Sequence, residues 1–161
     1  MATIRYKYEQ FLKDVFQMAV WVQTWEEVKT KKYGWSPQVI ISIARGGLIP
    51  GVYLSHLLGI RNIPIVWQTR DGSIKESPPL ISKDHQILIV DDINDSGKTF
   101  TQIMKDINKN NQHLNYDIIK RNVKTMSIFT RHSSTFHVDF SPNKLDTDDW
   151  IEFPWEKKLY A

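Results

Sequence analysis

The sequence predicts an α/β fold, with a central and mainly parallel β-sheet flanked by helices. Three observations carry that prediction. Short apolar runs of strand type alternate with segments of three- and four-residue apolar spacing, as strands joined by crossover helices do. One run, Ile87-Leu88-Ile89-Val90, is apolar at every residue, as a strand covered on both faces must be. Two polar segments, Ala44 to Gly47 and Asp91 to Thr99, follow predicted strands, at the carboxyl ends where open parallel sheets bind ligands.

Taken in order, Tyr8, Phe11, Leu12, Val15, Ala19, Val22 and Trp25 mark one face of an amphipathic helix running from Tyr8 to Val28. Charge, Gly34 and Pro37 end it. Val39 to Ile43 is a strand, and Arg45-Gly46-Gly47 follows it. Leu48, Val52, Ser55 and Leu58 then give a helix with Pro50 early and Gly59 at its close, the usual asymmetry. Ile63 to Trp67 is the next strand, and Gln68 to Asp84, with Gly72, Pro78 and Pro79, is a polar connection. After Ile87 to Val90, helical spacing resumes at Phe100, Ile103, Met104 and Ile107. Asn108 to Asn122 is polar and partly helical, with no boundary that periodicity resolves. Lys124 to Phe129 alternates, and Val138 to Phe140 reads as one further strand. No repeat or linker divides the chain, so residues 1–161 are expected to form one domain.

Bulk properties narrow the class. Of the 161 residues, 41% are hydrophobic and 24% charged, as in ordinary soluble globular proteins. With no cysteine, disulfides, thiolate zinc sites and cysteine nucleophiles are excluded, which suits a reducing cytoplasm. Met1 to Gln10 lacks an apolar signal core, and no stretch approaches the roughly 20 apolar residues that span a bilayer. A net charge of +3 fits phosphate-bearing substrates, nucleic acid or a plain solvated surface equally. His56, His85, His113, His132 and His137 show no two-ligand helical spacing, against a transition-metal site. Lys120, Arg121 and Lys124 read as a solvated face.

Chemistry concentrates in Asp91-Asp92-Ile93-Asn94-Asp95-Ser96-Gly97-Lys98-Thr99. A buried strand delivers two adjacent carboxylates to its end, and a third follows. A short loop then opens a helix, aiming backbone N–H groups and partial positive charge at one point, where a phosphate fits. Gly97-Lys98-Thr99 matches the end of a nucleotide-triphosphate P-loop. That motif also needs a glycine where Asp92 stands, and the carboxylates would repel a polyphosphate.

The segment resembles the signature for phosphoribosyl pyrophosphate (PRPP) in type I phosphoribosyltransferases: four apolar residues, two acids, two mostly apolar residues, then Asp-Thr/Ser-Gly-x-Thr. Asn94 departs from it, being usually apolar in that family. The resemblance implies the type I phosphoribosyltransferase fold with a small hood. It implies that Asp91 and Asp92 address the ribose hydroxyls and a magnesium ion, directly or through water. Asp95 would be the catalytic base for the purine N7 proton, and Ser96, Gly97, Lys98 and Thr99 would hold the 5-phosphate. Ala44, Arg45, Gly46 and Gly47 are similar to the family's pyrophosphate loop, which often carries a non-proline cis peptide, expected here around Ala44-Arg45. Paired glycines admit close approach of an anion, and arginine binds phosphate oxygens as a fork.

The tail Asp148-Asp149-Trp150-Ile151-Glu152-Phe153-Pro154-Trp155-Glu156 resembles the C-terminal segment of bacterial xanthine–guanine phosphoribosyltransferases. That makes residues 141–161 a purine-recognition segment, with Trp150 stacking on the base and the Ile151 backbone reading its edge. Trp155 reads better as packing. Those enzymes place a lysine against the purine O6, where this chain has Arg131 after Ile128-Phe129-Thr130; arginine keeps the charge and changes the geometry. Residues 68–84 occupy the place of the family's mobile hood loop. The resemblance thus implies a purine-salvage enzyme that uses PRPP, a six-oxo purine (guanine, xanthine or hypoxanthine) and magnesium. It further implies a cytoplasmic homo-oligomer, dimer or tetramer, with no membrane or nucleic-acid partner. The alternatives are a PRPP- or nucleotide-sensing regulator of the same fold that binds nucleic acid, and an enzyme for another base. Asp95, the tryptophan segment and the lack of a separate nucleic-acid domain weigh against the regulator.

Overall fold

The computed structural model describes residues 2–27, 34–65 and 82–156. Five parallel strands form the main sheet in the order β3-β2-β4-β5-β6. They are β2 (Val39–Ile43), β3 (Arg61–Ile65), β4 (Ile87–Asn94), β5 (Val123–Arg131) and β6 (Asn143–Leu145). A separate two-stranded parallel sheet joins β1 (Thr3–Arg5) to β7 (Trp150–Glu152). Helices α1 (Tyr8–Glu27), α2 (Leu48–Leu58), α3 (Lys98–Asn110) and α4 (Tyr116–Asn122) and a 3-10 turn at Pro154–Glu156 complete the described elements. None of these helices is long and apolar enough to cross a membrane.

Period-two alternation in the central strands divides the core. Ile40 and Leu88 turn to one face, against Phe11, Val15, Met18 and Val22 of α1. Ile41 and Ile89 turn to the other, against Phe100, Ile103 and Ile107 of α3. The all-apolar run of β4 is therefore buried on both faces. The stripe that α1 buries includes Met18, while Tyr8, Leu12 and Trp25, expected on it, are exposed. In α2 the buried residues are Pro50, Gly51 and Leu54, not Val52.

Two elements differ from the sequence expectation, and a third takes the definite form that periodicity left open. Strand β3 begins at Arg61, two residues before Ile63, because its pairing with β2 runs from Val39↔Arg61 to Ile43↔Ile65. It is an edge strand, so Pro64 costs no central ladder bond; Trp67 lies outside the described residues. Val138 to Phe140 forms no strand, only an isolated bridge from Phe140 to Met126. There the Asp139 carboxylate accepts from the Thr125 N–H at 2.8 Å and hydroxyl at 3.1 Å, replacing regular ladder bonds. Pairing with β5 becomes regular only after Pro142, as β6. Asn108 to Asn122 resolves into the end of α3, a turn, and α4 capped by Asn115, whose side chain accepts from the Asp117 N–H at 3.0 Å.

The strand order sets the site. From β2 the chain moves outward to β3, and from β4 it moves the opposite way through β5 to β6. The crevice between the carboxyl ends of β2 and β4 is thus the topological switch point.

Candidate functional site

Both loops singled out in the sequence meet at that crevice. Ala44 to Gly47 leaves β2, and the Ala44–Arg45 peptide is cis. The Arg45 side chain is exposed at the rim. Gly46 and Gly47 lie where side chains would collide with the neighbouring loop. A Cβ on Gly46 would fall 1.9 Å from Asp92 Oδ2, and one on Gly47 would fall 2.5 Å from the Val90 carbonyl oxygen. The glycines therefore allow the first loop to pack directly on the acidic pair.

Asp91 is buried and Asp92 half-buried at the end of β4. Burial pushes the Asp91 carboxyl well above the usual carboxylate range, the charge of Asp92 adds to this, and the Gly47 N–H works against it. Burial also pushes Asp92 up to about 6, opposed by hydrogen bonds from Asp91 and the Ile93 N–H and aided by the charge of Glu156. Two adjacent carboxylates that resist joint ionisation favour a cation beside them. Among the described residues no three His, Cys, Asp or Glu side chains form a closed cage. Magnesium, which takes one or two carboxylates and completes its shell with water and substrate phosphate oxygens, suits such an open oxygen pair.

Asp95, Ser96 and Gly97 link β4 to α3. Gly97 has φ +83°, and a Cβ there would fall 2.5 Å from the Phe136 nitrogen, so both conformation and space require glycine. The N-cap Gly97 has no side chain to cap α3, and the Lys98 N–H makes only a long 3.4 Å bond to Ser96 Oγ, an open helix start of the kind that accepts an anion. Lys98 is exposed and Thr99 half-buried on the first turn.

This loop rests on a support that the motif does not reveal. The Ser96 carbonyl accepts from the Thr135 N–H at 3.2 Å and hydroxyl at 3.0 Å. Behind it, Asn94 is 1% exposed. Its amide donates to Thr130 Oγ1 at 2.9 Å and the Phe136 carbonyl at 2.7 Å, and its oxygen accepts from the Ser134 hydroxyl at 3.0 Å. The departure at Asn94 is thus a satisfied buried polar network tying β4 to residues 134–136. Its only sequence signal is a polar residue in an apolar place.

The tail expected to recognise the purine follows β6 and meets the end of β5. Arg131, at the end of β5, pairs through Nε with the Asp95 carboxylate, and its terminal nitrogens donate to the Thr147 and Asp149 carbonyls. Beyond these, β7 pairs with β1 in the register Thr3↔Trp150, Ile4↔Ile151 and Arg5↔Glu152. The Trp150 N–H donates to the Ala2 carbonyl and the Tyr6 N–H to the Glu152 carbonyl, both at 3.0 Å. In a parallel ladder alternate residues bond to a given neighbour. With Trp150 and Glu152 bonded to β1, the N–H and C=O of Ile151 are directed to the opposite edge of β7, where no described strand lies. The Trp150 ring is 58% exposed, whereas the Ile151 side chain is buried. Trp155 packs against Phe153 and Phe11 at 4.9 and 5.2 Å between ring centroids. Of the expected hood loop, residues 68–81 lie outside the described residues.

A family model described as the phosphoribosyl transferase domain matches residues 12–161. The xanthine-guanine phosphoribosyltransferase of Cereibacter sphaeroides is 28% identical over 131 residues, covering 76% of this chain and 71% of that protein. The enzyme of the same name from Idiomarina loihiensis is 26% identical over 129 residues, covering 75% and 72%. Among solved structures, the purine phosphoribosyltransferase of Pyrococcus horikoshii is 27% identical, with a TM-score of 0.75 over 100% of this chain and 99% of that one. The Helicobacter pylori xanthine-guanine-hypoxanthine phosphoribosyltransferase is 25% identical, with a TM-score of 0.68 over 96% and 94%.

Proposed function

Since this chain belongs to the phosphoribosyl transferase domain family, we propose that it transfers ribose 5-phosphate from PRPP to a six-oxo purine, releasing pyrophosphate and a nucleoside monophosphate. The observation that carries the reading is the meeting of Ala44–Gly47 and Asp91–Thr99 at the carboxyl ends of β2 and β4, with the stretch before Trp150 bonded to Arg131 at the end of β5. Relatives from several organisms bear purine phosphoribosyltransferase names.

In this reading the Ser96–Thr99 loop and the N-terminus of α3 hold the 5-phosphate. Arg45 and the Gly46-Gly47 backbone hold the pyrophosphate. Asp91 and Asp92 orient the ribose hydroxyls and are the residues that would hold magnesium, directly or through water. A magnesium ion held there would supply positive charge to offset that of the pyrophosphate. The purine stacks on Trp150 and hydrogen-bonds the free backbone edge of Ile151, while Asp95 takes the N7 proton. The ribose C1–oxygen bond to pyrophosphate breaks, positive charge develops at C1, and the purine nitrogen bonds to C1 from the opposite face with inversion. Catalysis is mostly positioning and charge stabilisation.

The same proposal covers one domain over residues 1–161, a cytoplasmic location, and assembly as a dimer or tetramer. Exposed apolar residues Leu12, Phe16 and Val20 along α1 support the assembly. A spectrophotometric assay with PRPP and magnesium, offering guanine, xanthine, hypoxanthine and adenine in parallel, tests the reaction. Turnover of at least one six-oxo purine is expected. Silence on all four by folded protein that binds PRPP would overturn it in favour of another acceptor or a nucleotide sensor.

A further inference from the structure

Arg131 has more structure around it than contact with a purine oxygen requires. Its side chain is only 9% exposed. Nε–H donates to the Asp95 carboxylate, one terminal nitrogen to the Thr147 carbonyl, and the other to the Asp149 carbonyl at 2.9 Å. Three of the five guanidinium N–H groups are thereby committed to protein acceptors in different segments. A guanidinium is planar and rigid, so fixing one acceptor fixes the placement of the others. The base of the fork is itself anchored, because β5 pairs with β4 at Asn94↔Thr130 and with β6 at Arg131↔Leu145.

The acceptors are the candidate proton-handling carboxylate and the irregular stretch that leads directly into Trp150. That stretch is tied elsewhere too: the Trp150 N–H donates to the Ala2 carbonyl at 3.0 Å, and Asp146 beside it pairs with His132 at 3.2 Å. The Asp149 carboxylate accepts from the Ala2 N–H at 2.8 Å and the Thr147 hydroxyl at 3.1 Å, joining it to the start of β1.

We infer that Arg131 is a positioning residue: it clamps Asp95 and the 147–150 segment into one unit, holding the N7 side and the stacking face of the purine site at a set separation. The inference rests on the reaction proposed above. A lysine in this place brings one ammonium on a flexible stem, which cannot hold a carboxylate and two separated carbonyls at once.

Arg131→Lys separates the clamp from a role limited to charge beside the purine. The clamp predicts a KM for the purine raised about tenfold or more and a lower kcat, with the KM for PRPP within about twofold of wild type. It also predicts faster amide hydrogen exchange over residues 147–150. Asp95→Ala, which removes one acceptor and leaves Arg131 in place, should also speed exchange over residues 147–150 if Arg131 joins the two; unchanged exchange in it would overturn the clamp, which covers the case in which the lysine variant fails to fold. Undiminished purine turnover with unchanged exchange in Arg131→Lys would overturn the clamp. So would a loss shared equally between PRPP and purine. A wild-type protein silent on every purine would overturn the reaction instead, and the exchange comparison would still decide the clamp.

Discussion

Adjacent glycines in the first loop should fail in different ways when each is replaced by alanine. Neither has a positive φ, so backbone conformation admits alanine at both, and only space decides. On Gly46 the new Cβ would meet Asp92 Oδ2 at 1.9 Å and Cγ at 2.2 Å, well inside the roughly 3.5 Å of ordinary contact. The obstacle is a side chain, so Asp92 can rotate away. It then gives up the 2.8 Å hydrogen bond that its Oδ1 accepts from the Ile93 N–H, at about 1 kcal/mol of stability. The carboxylate must shift by about 1.5 Å, and a misplacement of about 1 Å at a reacting centre can cost ~100-fold in rate. On Gly47 the Cβ would meet the Val90 carbonyl oxygen at 2.5 Å, the Ile43 carbonyl oxygen at 2.7 Å and Asp91 Cα at 2.9 Å. These are backbone atoms of the two central strands and cannot swing aside, so the cost is stability, about 3 kcal/mol. Steady-state kinetics with PRPP and the preferred purine, paired with denaturant unfolding, read both effects. The expected pattern is Gly46→Ala folded and ~100-fold slower, with Gly47→Ala destabilised. A Gly46→Ala enzyme within threefold of wild-type kcat/KM, or equal stability losses in the two variants, would refute the reasoning.

Protonation of the acidic pair should couple stability to pH. The folded protein holds a proton on Asp92 up to about pH 6, and burial raises Asp91 well above the usual carboxylate range. An unfolded aspartate releases it near pH 4. The folded state thus binds more protons between those limits, and stability from this pair, complete below about pH 4, is lost as pH rises through about 6. Allowing for partial exposure, Asp92 contributes about 1–3 kcal/mol, or on the order of 5 °C in Tm for a chain of this length. Metal-free protein should show the slope, and Asp92→Asn should flatten it; parallel Tm-against-pH curves would contradict this. Asp95→Ala should lower kcat about 100-fold or more while PRPP binding, measured calorimetrically, stays within a few-fold; full activity would remove Asp95 from the mechanism. Asn94→Leu, restoring the family's usual apolar character, should instead destabilise by about 2–4 kcal/mol because the Ser134 and Phe136 partners stay buried. Unchanged denaturant unfolding would show that the network contributes nothing.

What the sequence disclosed follows from the range of the interactions involved. The β4 motif was legible because strand burial, the αL glycine and the open helix start are all local, set by consecutive residues from Ile87 to Thr99. Gly97 was readable as a turn residue, but its contact with Phe136 was not. Val138 to Phe140 misled because a run of three residues cannot show that the Asp139 carboxylate turns toward Thr125. The pairing of β1 with β7 was invisible: three residues with little apolar content join a partner nearly the whole chain away. The same reason hid the role of Arg131, whose residue type was plain and whose three acceptors were not.

Those long-range ties bear on how the two halves of the site differ. The half proposed to bind phosphate is made by sharp turns at the ends of β2 and β4, and the sheet that carries them holds them in place. The half proposed to bind the purine has no such base. Trp150 and Ile151 lie on a two-stranded sheet, and a two-stranded pair is marginal on its own. It is anchored where Tyr6 donates to Asp14 of α1 at 2.5 Å, where Asn143 donates to the same carboxylate at 2.7 Å, and through Arg131. Substitutions at these anchors should therefore fall on purine affinity before they reach PRPP affinity. Base preference should then respond to anchor residues such as Asp14 of α1 and Asn143 of β6, which hold this sheet from outside it.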